Sequence, residues 1–516
     1  MTTDQPATPS IVYLIGAGPG DPGLITVRGL ECLASADVVL YDHLVHPQLL
    51  RHARADAETI DVGRAAPQAI EQEAICYLIA EKAREGKTVA RLKWGDPFVF
   101  DRGGSEALFL HEQGVRFEVV PGIPAAIGAA SYAGIPLTYP GGGDTLTFVR
   151  GNEDDGKTRP VVDWRALARL DGTIVCYASA SQIPHILTEL MSHGRSDDDP
   201  AALIYDGTLP TQKTVAGSLR EIERALAHAP QPQPSFLVVG RVTALREHLR
   251  WYDSRPLFGK RILITRQKEP AGELAQLLGS LGAQTIEAPM IRILPPLDFA
   301  PLDAACSRAG EFDWIVFASA NAVDSFMTRL LASSLDVRAL HAVQLCAIGQ
   351  GTADRLARYG LKVDVVPAES RAEAVADAIA GLAPIAGLSV LLPRGDIGRQ
   401  VIADELRRRG AVVAEAIAYR TVLVDHEREG PDVYRLLLER SIDVVTFTSP
   451  SAVRSFVSTI GAEPAADLLR PTVVAAIGPV TAEAALQYGI ETTIVPAQYN
   501  VQALADAIVR HFERPS

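Results

Sequence analysis

The chain has 516 residues, 47% hydrophobic and 22% charged, the balance of an ordinary globular protein with two to four domains. A net charge of −13 at pH 7 disfavours nucleic acid as a partner, and no apolar run approaches the roughly 20 residues that span a bilayer. The polar start MTTDQPATPS carries no secretory signal, so the cytoplasm is the expected compartment. The five cysteines form no CxxC pair, which argues against a disulfide framework and a zinc site, and no metal is expected.

After a polar tail over residues 1–10, the apolar run Ile11-Val12-Tyr13-Leu14-Ile15 leads into GAGPGDP at 16–22, and a helical pattern begins near Ile25. A β-prone run, then glycines, then helix-period apolar residues describes a strand opening onto a tight loop, where open α/β sheets bind small ligands. The dinucleotide fingerprint fails here. The glycines fall at 16, 18 and 20, Asp21 stands where the third fingerprint glycine would be, and Pro19 has no amide hydrogen to offer a phosphate. The loop suits a ligand without phosphates.

The runs VVLYD (38–42), TVARLKW (88–94) and FEVVPG (117–122) read as further strands alternating with helices, which predicts an α/β lobe with a largely parallel sheet over 11–140. Candidates then cluster at strand ends: the loop at 16–22, Asp42, and Arg91-Leu92-Lys93-Trp94-Gly95-Asp96-Pro97. A helix cap or a simple turn is the alternative role for the last two. The Gly-rich piece at 140–144 marks a boundary. A second alternation follows over 141–250, with strands at LTFVRG, TIVCYAS (173–179), AALIYDGT (201–208) and SFLVVGRV (235–242). A small-molecule cleft between the two lobes is expected.

Five ordered blocks carry a resemblance. GAGPGDPGLITVRGLECLASADVVLYDHLV, RLKWGDPFVFDRGGSEA, VVPGIPAAIGAASYAGIPLT, DGTLPTQKTVAGSL and VVGRVTALR resemble the uroporphyrinogen-III C-methyltransferases of the tetrapyrrole methylase superfamily. The resemblance implies S-adenosylmethionine as methyl donor, a tetrapyrrole acceptor methylated twice to precorrin-2 on the way to sirohaem or cobalamin, and a homodimer through this half. It implies that Pro19, Trp94, Gly95, Asp96, Val99, Pro124, Ala125, Ala178 and Gly207 surround the donor, with Asp42 as proton acceptor. Arg64 falls on the family's proposed proton donor, a lysine. A guanidinium stays protonated in proteins, so Arg64 suits the grip of a substrate carboxylate better than acid catalysis. Trp94 stands where the family has glycine, and Ala178 where it has methionine.

Residues 251–258 are polar and aromatic and read as a linker, with a new strand at Arg261-Ile262-Leu263-Ile264. The half at 259–516 repeats itself. DWIVFASANAV returns as DVVTFTSPSAV, pairing Ser319 with Ser449 at an offset of 130 residues (449 − 319). AIGQGTADRLARYG returns as AIGPVTAEAALQYG, pairing Thr352 with Thr481 (481 − 352 = 129), and ITRQ is echoed by LPRG, pairing Arg266 with Arg394 (394 − 266 = 128). Three matches at nearly one offset predict a bilobal, internally duplicated α/β unit in which paired hydroxyls and arginines line a cleft and bind substrate carboxylates. Helix capping is the alternative role for the hydroxyls. In order, ITR, FASANAV, AIGQGTA, LPRG, AYRT, FTSPSAV and AIGPVTA resemble uroporphyrinogen-III synthase, a cofactor-free family that closes hydroxymethylbilane into a macrocycle. That resemblance implies Tyr419 as its catalytic residue. The expected whole is a bifunctional enzyme. Two other readings stay open for the first half: methylation of a different tetrapyrrole, or a non-catalytic binding or dimerisation module.

Overall fold

The computed structural model of the protein describes residues 10–63, 70–151, 162–179, 181–226, 235–265, 272–288, 291–367, 372–396, 400–423 and 432–513. The first lobe is a five-stranded sheet of β1 (Val12–Gly16), β2 (Val38–Tyr41), β3 (Glu58–Asp61), β4 (Val89–Lys93) and β5 (Phe117–Val120), in the order β3-β2-β4-β1-β5. Every pairing is parallel, so the loops that leave β1, β2, β4 and β5 share one edge. The crossover helices are α1 (Val27–Ser35), α2 (Gln72–Arg84) and α3 (Gly103–Glu112), followed by α4 (Ala125–Tyr132). Strand alternation divides the core between the two faces. Val12, Leu14 and Val89 pack on Ile79 and Ala83 of α2 and Leu110 of α3, while Ile15, Ala90 and Leu92 pack on Cys32 and Leu33 of α1.

The second lobe holds β6 (Leu146–Arg150), β7 (Thr173–Ala178), β8 (Pro200–Tyr205), β9 (Lys213–Ser218) and β10 (Ser235–Val239), ordered β6-β7-β10-β8-β9. Only β6 and β7 pair in parallel; β10 runs antiparallel to β7 and β8, and β8 antiparallel to β9. The sequence pattern does not reveal β9, which is polar and half-buried. The link at 206–212 is too short for a crossover helix, so the chain turns back as a hairpin. On one face of this sheet Val175, Phe236 and Val238 meet Ala125, Ala126 and Ala129 of α4. The small side chains of α4 let helix and sheet approach closely, which joins the two lobes.

Two compact units divide the chain. One comprises Met1–Arg261 with Gln276–Thr285 and Val509–Ser516; the other comprises Ile262–Ala275 with Ile286–Ile508. Segment 251–258, expected as a linker, is folded into the first unit, with Tyr252 4% and Leu257 0% exposed.

In the second unit one sheet runs Ile291–Leu294, Val412–Leu423, Ser389–Gly395, Trp314–Phe317, Gln344–Ala347, with only the first pairing antiparallel. A second sheet places Val444–Phe447 between Arg261–Ile264 and Val473–Ala476, all parallel. The two sheets match around their central strands. Phe317 packs edge-on against Phe326 at 5.6 Å, and Phe447 against Phe456 at 5.5 Å. Isolated parallel bridges join Cys346 to Val365 and Ala475 to Ile494 at equivalent places. These correspondences are consistent with a duplicated unit. Among the described residues no helix is long and apolar enough to cross a membrane.

Candidate functional site

At the open edge of the first sheet, three loops meet backbone to backbone. A Cβ added to Gly122 would stand 2.3 Å from the Gly95 carbonyl oxygen and 2.7 Å from Gly16 Cα, and one added to Gly16 would stand 2.5 Å from Gly122. No side chain fits at either position. Gly18 and Gly95, both with positive φ, exchange backbone hydrogen bonds of 3.2 and 2.8 Å. Asp96 joins the last two loops, its Oδ2 accepting from Gly122 N at 2.9 Å and its Oδ1 from Phe98 N at 2.8 Å. Loops 16–22, 94–97 and 121–124 carry Asp21 and Asp96 but no Lys or Arg. That set of groups fits a cationic ligand better than a polyphosphate.

Trp94 stays at this edge. Its indole N–H donates to the Pro19 carbonyl at 2.8 Å, and its ring lies nearly parallel to Phe236 of β10 with centroids 5.9 Å apart. Pro124 caps α4 and Ala125 opens it, beside Gly95. Pro19 rests on Gly128 and Gly207 on Ala129, at positions where a Cβ would come within 2.5 and 2.3 Å respectively. Half-buried Val99 follows in the same loop, its N–H on the Asp96 carbonyl at 3.4 Å. Pro19, Trp94, Gly95, Asp96, Val99, Pro124, Ala125 and Gly207 are therefore held around one edge.

Ala178 is not brought into this group. It points to the other face of β7, among Ile183 and Ile186. Its neighbour Tyr177 faces the loops instead, with its hydroxyl accepting from Ala126 N at 3.3 Å and its ring against Phe100 and Phe236 at 4.9 and 5.2 Å. The strand's two-residue alternation was the signal that distinguishes them.

Asp42, at the end of β2, adjoins the same loops. Its Oδ2 accepts from Trp94 N at 3.4 Å and its Oδ1 from the Arg91 guanidinium at 2.5 Å. Arg91 and Lys93 lie on one face of β4, 2% and 1% exposed, and meet Glu106 of α3, which is fully buried. Glu106 Oε1 receives Arg91 at 3.3 Å, Lys93 at 3.1 Å and Gln72 at 3.0 Å, while its Oε2 accepts no hydrogen bond from the described residues. Lys93 also pairs with Asp101 at 3.0 Å. Burial pushes the Asp42 carboxyl up, but the charges of Arg91 and Lys93 outweigh it and hold the group below the ordinary carboxylate value. The strand-end run from Arg91 to Pro97 marked Arg91 and Lys93 as candidates, but nothing in the sequence pattern marked Glu106 as their partner. Two cations two residues apart in an otherwise buried strand demand buried anions, and that was the available signal. Arg64 lies outside the described residues.

In the second unit Tyr419 and Ser319 are brought together, Oη to Oγ, at 3.1 Å. Ser319 caps the helix Ala320–Ala332 by accepting from Ala322 N at 3.2 Å. Ser449 caps Pro450–Ile460 in the same way, accepting from Ala452 N at 3.2 Å. Thr352 and Thr481 sit buried in the first turns of the adjacent helices Gln350–Arg358 and Pro479–Leu486. Strand register puts each Ser beside its Thr, because Phe317 pairs with Ala347 and Phe447 with Ala476. Arg394 is engaged elsewhere, its Nε 2.5 Å from Glu415, which Arg407 also holds at 2.7 Å. Arg266 lies outside the described residues. Among those described, no group of three or more His, Cys, Asp or Glu is placed to hold a metal ion.

Comparison with known proteins finds a different family in each half of the chain. Residues 11–223 match the tetrapyrrole (corrin/porphyrin) methylases and residues 272–506 match uroporphyrinogen-III synthase HemD. The chain is 34% identical to the porphyrin biosynthesis protein HemD of Ruminiclostridium josui, over 96% of this chain and 97% of that one. It is 36% identical to the uroporphyrinogen-III C-methyltransferase of Bacillus subtilis, over 70% of this chain and 74% of that one. Among solved structures it is similar to the uroporphyrin-III C-methyl transferase of Thermus thermophilus complexed with S-adenyl homocysteine. That match has 36% identity, covers 46% of this chain and all of the other, and has a TM-score of 0.40.

Proposed function

The chain belongs to the family of tetrapyrrole methylases fused to uroporphyrinogen-III synthase, and we propose that it closes hydroxymethylbilane to uroporphyrinogen III in its second half and methylates that product twice in its first, giving precorrin-2 for sirohaem or cobalamin. The observation that carries the methylase reading is the junction at Trp94, whose backbone amide reaches Asp42 while its indole holds Pro19. One residue ties the donor loop to the acid. When bound, S-adenosylmethionine supplies an electrophilic methyl group, and the uncharged glycine edge with Asp21 and Asp96 suits its positive sulfonium. Asp42, kept ionised by Arg91 and Lys93, faces the acceptor, where it offsets positive charge developing on the attacked pyrrole and receives the proton that the pyrrole carbon sheds.

Ring closure needs a hydroxyl to leave the linear tetrapyrrole. Tyr419, oriented by Ser319, donates a proton to that leaving hydroxyl, while the capped helix starts at Ser319 and Ser449 present amides and hydroxyls to substrate carboxylates. The protein acts on small molecules as a homodimer in the cytoplasm. Purified chain given hydroxymethylbilane and S-adenosylmethionine should develop the absorbance of precorrin-2. Accumulation of methyl-free uroporphyrinogen III as the end product would sink the methylase half, and a failure to consume hydroxymethylbilane would sink the synthase half.

A further inference from the structure

One hydrogen bond ties the donor loop to the second lobe, from Asp21 N to Thr208 Oγ1 at 3.0 Å. Both ends of it are gripped by tyrosines. Tyr132, the last residue of α4, donates its hydroxyl to Asp21 Oδ2 at 2.7 Å, and Tyr252 donates its own to the Thr208 carbonyl at 3.0 Å. The two rings pack on each other with centroids 4.6 Å apart, and Trp251 and Phe258 extend the stack. Thr208 is 1% exposed and has φ +72°, a backbone that a β-branched residue adopts only when its surroundings impose it. Gln212 completes the hold, accepting from Thr208 N at 2.8 Å. Pro19 and Gly20 directly precede Asp21, and Gly207 directly precedes Thr208.

We propose that Tyr132 and Tyr252 are positioning residues for the methyl donor, fixing the distance between the Pro19 loop and the Gly207 loop through the Asp21–Thr208 bridge. The inference rests on the reading that these loops hold S-adenosylmethionine. Tyr252 comes from the segment that leaves the second lobe, so that segment takes part in building the donor pocket. Burial first, and then the charge of Asp21, raises the pKa of both phenols, so both remain hydrogen-bond donors at neutral pH. The two hydroxyls donate to Asp21 and to the Thr208 carbonyl, not to Asp42, so loss of either loosens the donor without touching the acid.

The test uses the full chain. Tyr132→Phe and Tyr252→Phe should each weaken S-adenosylmethionine and S-adenosylhomocysteine binding, measured calorimetrically, by about three- to tenfold, as for loss of one buried hydrogen bond. The double variant should lose less than the product of the two, because both act on one bridge. Thr208→Val should bind as poorly as the double variant, whereas Thr208→Ser, which keeps the acceptor oxygen, should bind like the unaltered chain. The donor KM should rise while kcat at saturating donor stays within about twofold, the pattern of lost ground-state binding. Single variants that bind both nucleosides as tightly as the unaltered chain, or a fall in kcat at constant KM, would overturn the inference. Failure of the unaltered chain to bind either nucleoside would instead overturn the donor-site reading, and the inference with it.

Discussion

Asp42 shows how a residue legible in sequence acquires its chemistry from neighbours that no local pattern assigns to it. Its place after a β-prone run marks it as a strand-end acid, but the Arg91, Lys93 and Glu106 that set its charge are distant in sequence and meet it only once β2, β4 and α3 are packed. Because the folded pKa lies below the unfolded one, the ion pair stabilises the fold above the unfolded pKa of about 3.9 and is lost as pH falls through the lower, folded value. Asp42→Asn should thus lower the stability of the methylase unit by about 1.5–3 kcal/mol near pH 7, the range for a hydrogen bond to a charged group. Urea unfolding at a series of pH values should show that difference fading only below pH ~4. Methyl transfer should fall by about 100- to 10,000-fold with ring closure unchanged. A rate within twofold of the unaltered chain would remove Asp42 from the mechanism. Pro19, Trp94 and Gly207 gather at the loop edge beside Asp42, whereas Ala178 lies on the opposite face of its strand.

At the scale of elements, four strands of the first sheet were readable because they are largely apolar runs, whereas its edge strand β3 and the hairpin strand β9 were not, because exposure or half-burial leaves a mixed pattern. Glycines show the same limit. The pair Gly103-Gly104 opens α3, and composition treats its members alike. In the fold a Cβ on Gly103 would stand 2.3 Å from the Pro97 carbonyl, while one on Gly104 would meet nothing within 4 Å. Gly104→Ala should therefore raise the thermal midpoint slightly, by an effect of about 0.5–1 kcal/mol from lost unfolded-state freedom. Gly122→Ala, at the meeting of three loops, should destabilise the unit by about 1–3 kcal/mol or more, the usual cost of overpacking, and abolish donor binding measured by calorimetry. Equal behaviour of the two variants would contradict the close approach of the loops.

For the molecule as a whole, the sequence suggests a boundary near residue 256, where proline and mixed charge interrupt two periodic regions, with the linker ending at 258. Contacts that join residues far apart in the chain move it. Leu257 is fully buried and its N–H donates to the Leu281 carbonyl at 3.0 Å, and Phe258 lies 3.0 Å from where a Gly282 Cβ would stand. Lys260 sits over the Phe512 ring at 4.5 Å. The compact unit that holds both methylase sheets therefore also draws in Gln276–Thr285, which lies within the stretch matched to the synthase family, and Val509–Ser516. No local pattern announces such a return, because its signal is the partner and not the segment. A chain ended after Phe258 would expose Leu257 and lose these supports. Its methylase unit should melt at a lower temperature than the corresponding transition of the full chain. That transition can be recognised calorimetrically as the one that donor raises, by about 2.7 kcal/mol at a hundred times Kd. Since Tyr252 lies in the strap that these segments brace, the shortened chain should also bind S-adenosylmethionine more weakly. A shortened chain with unchanged midpoint and affinity would return the boundary to the linker.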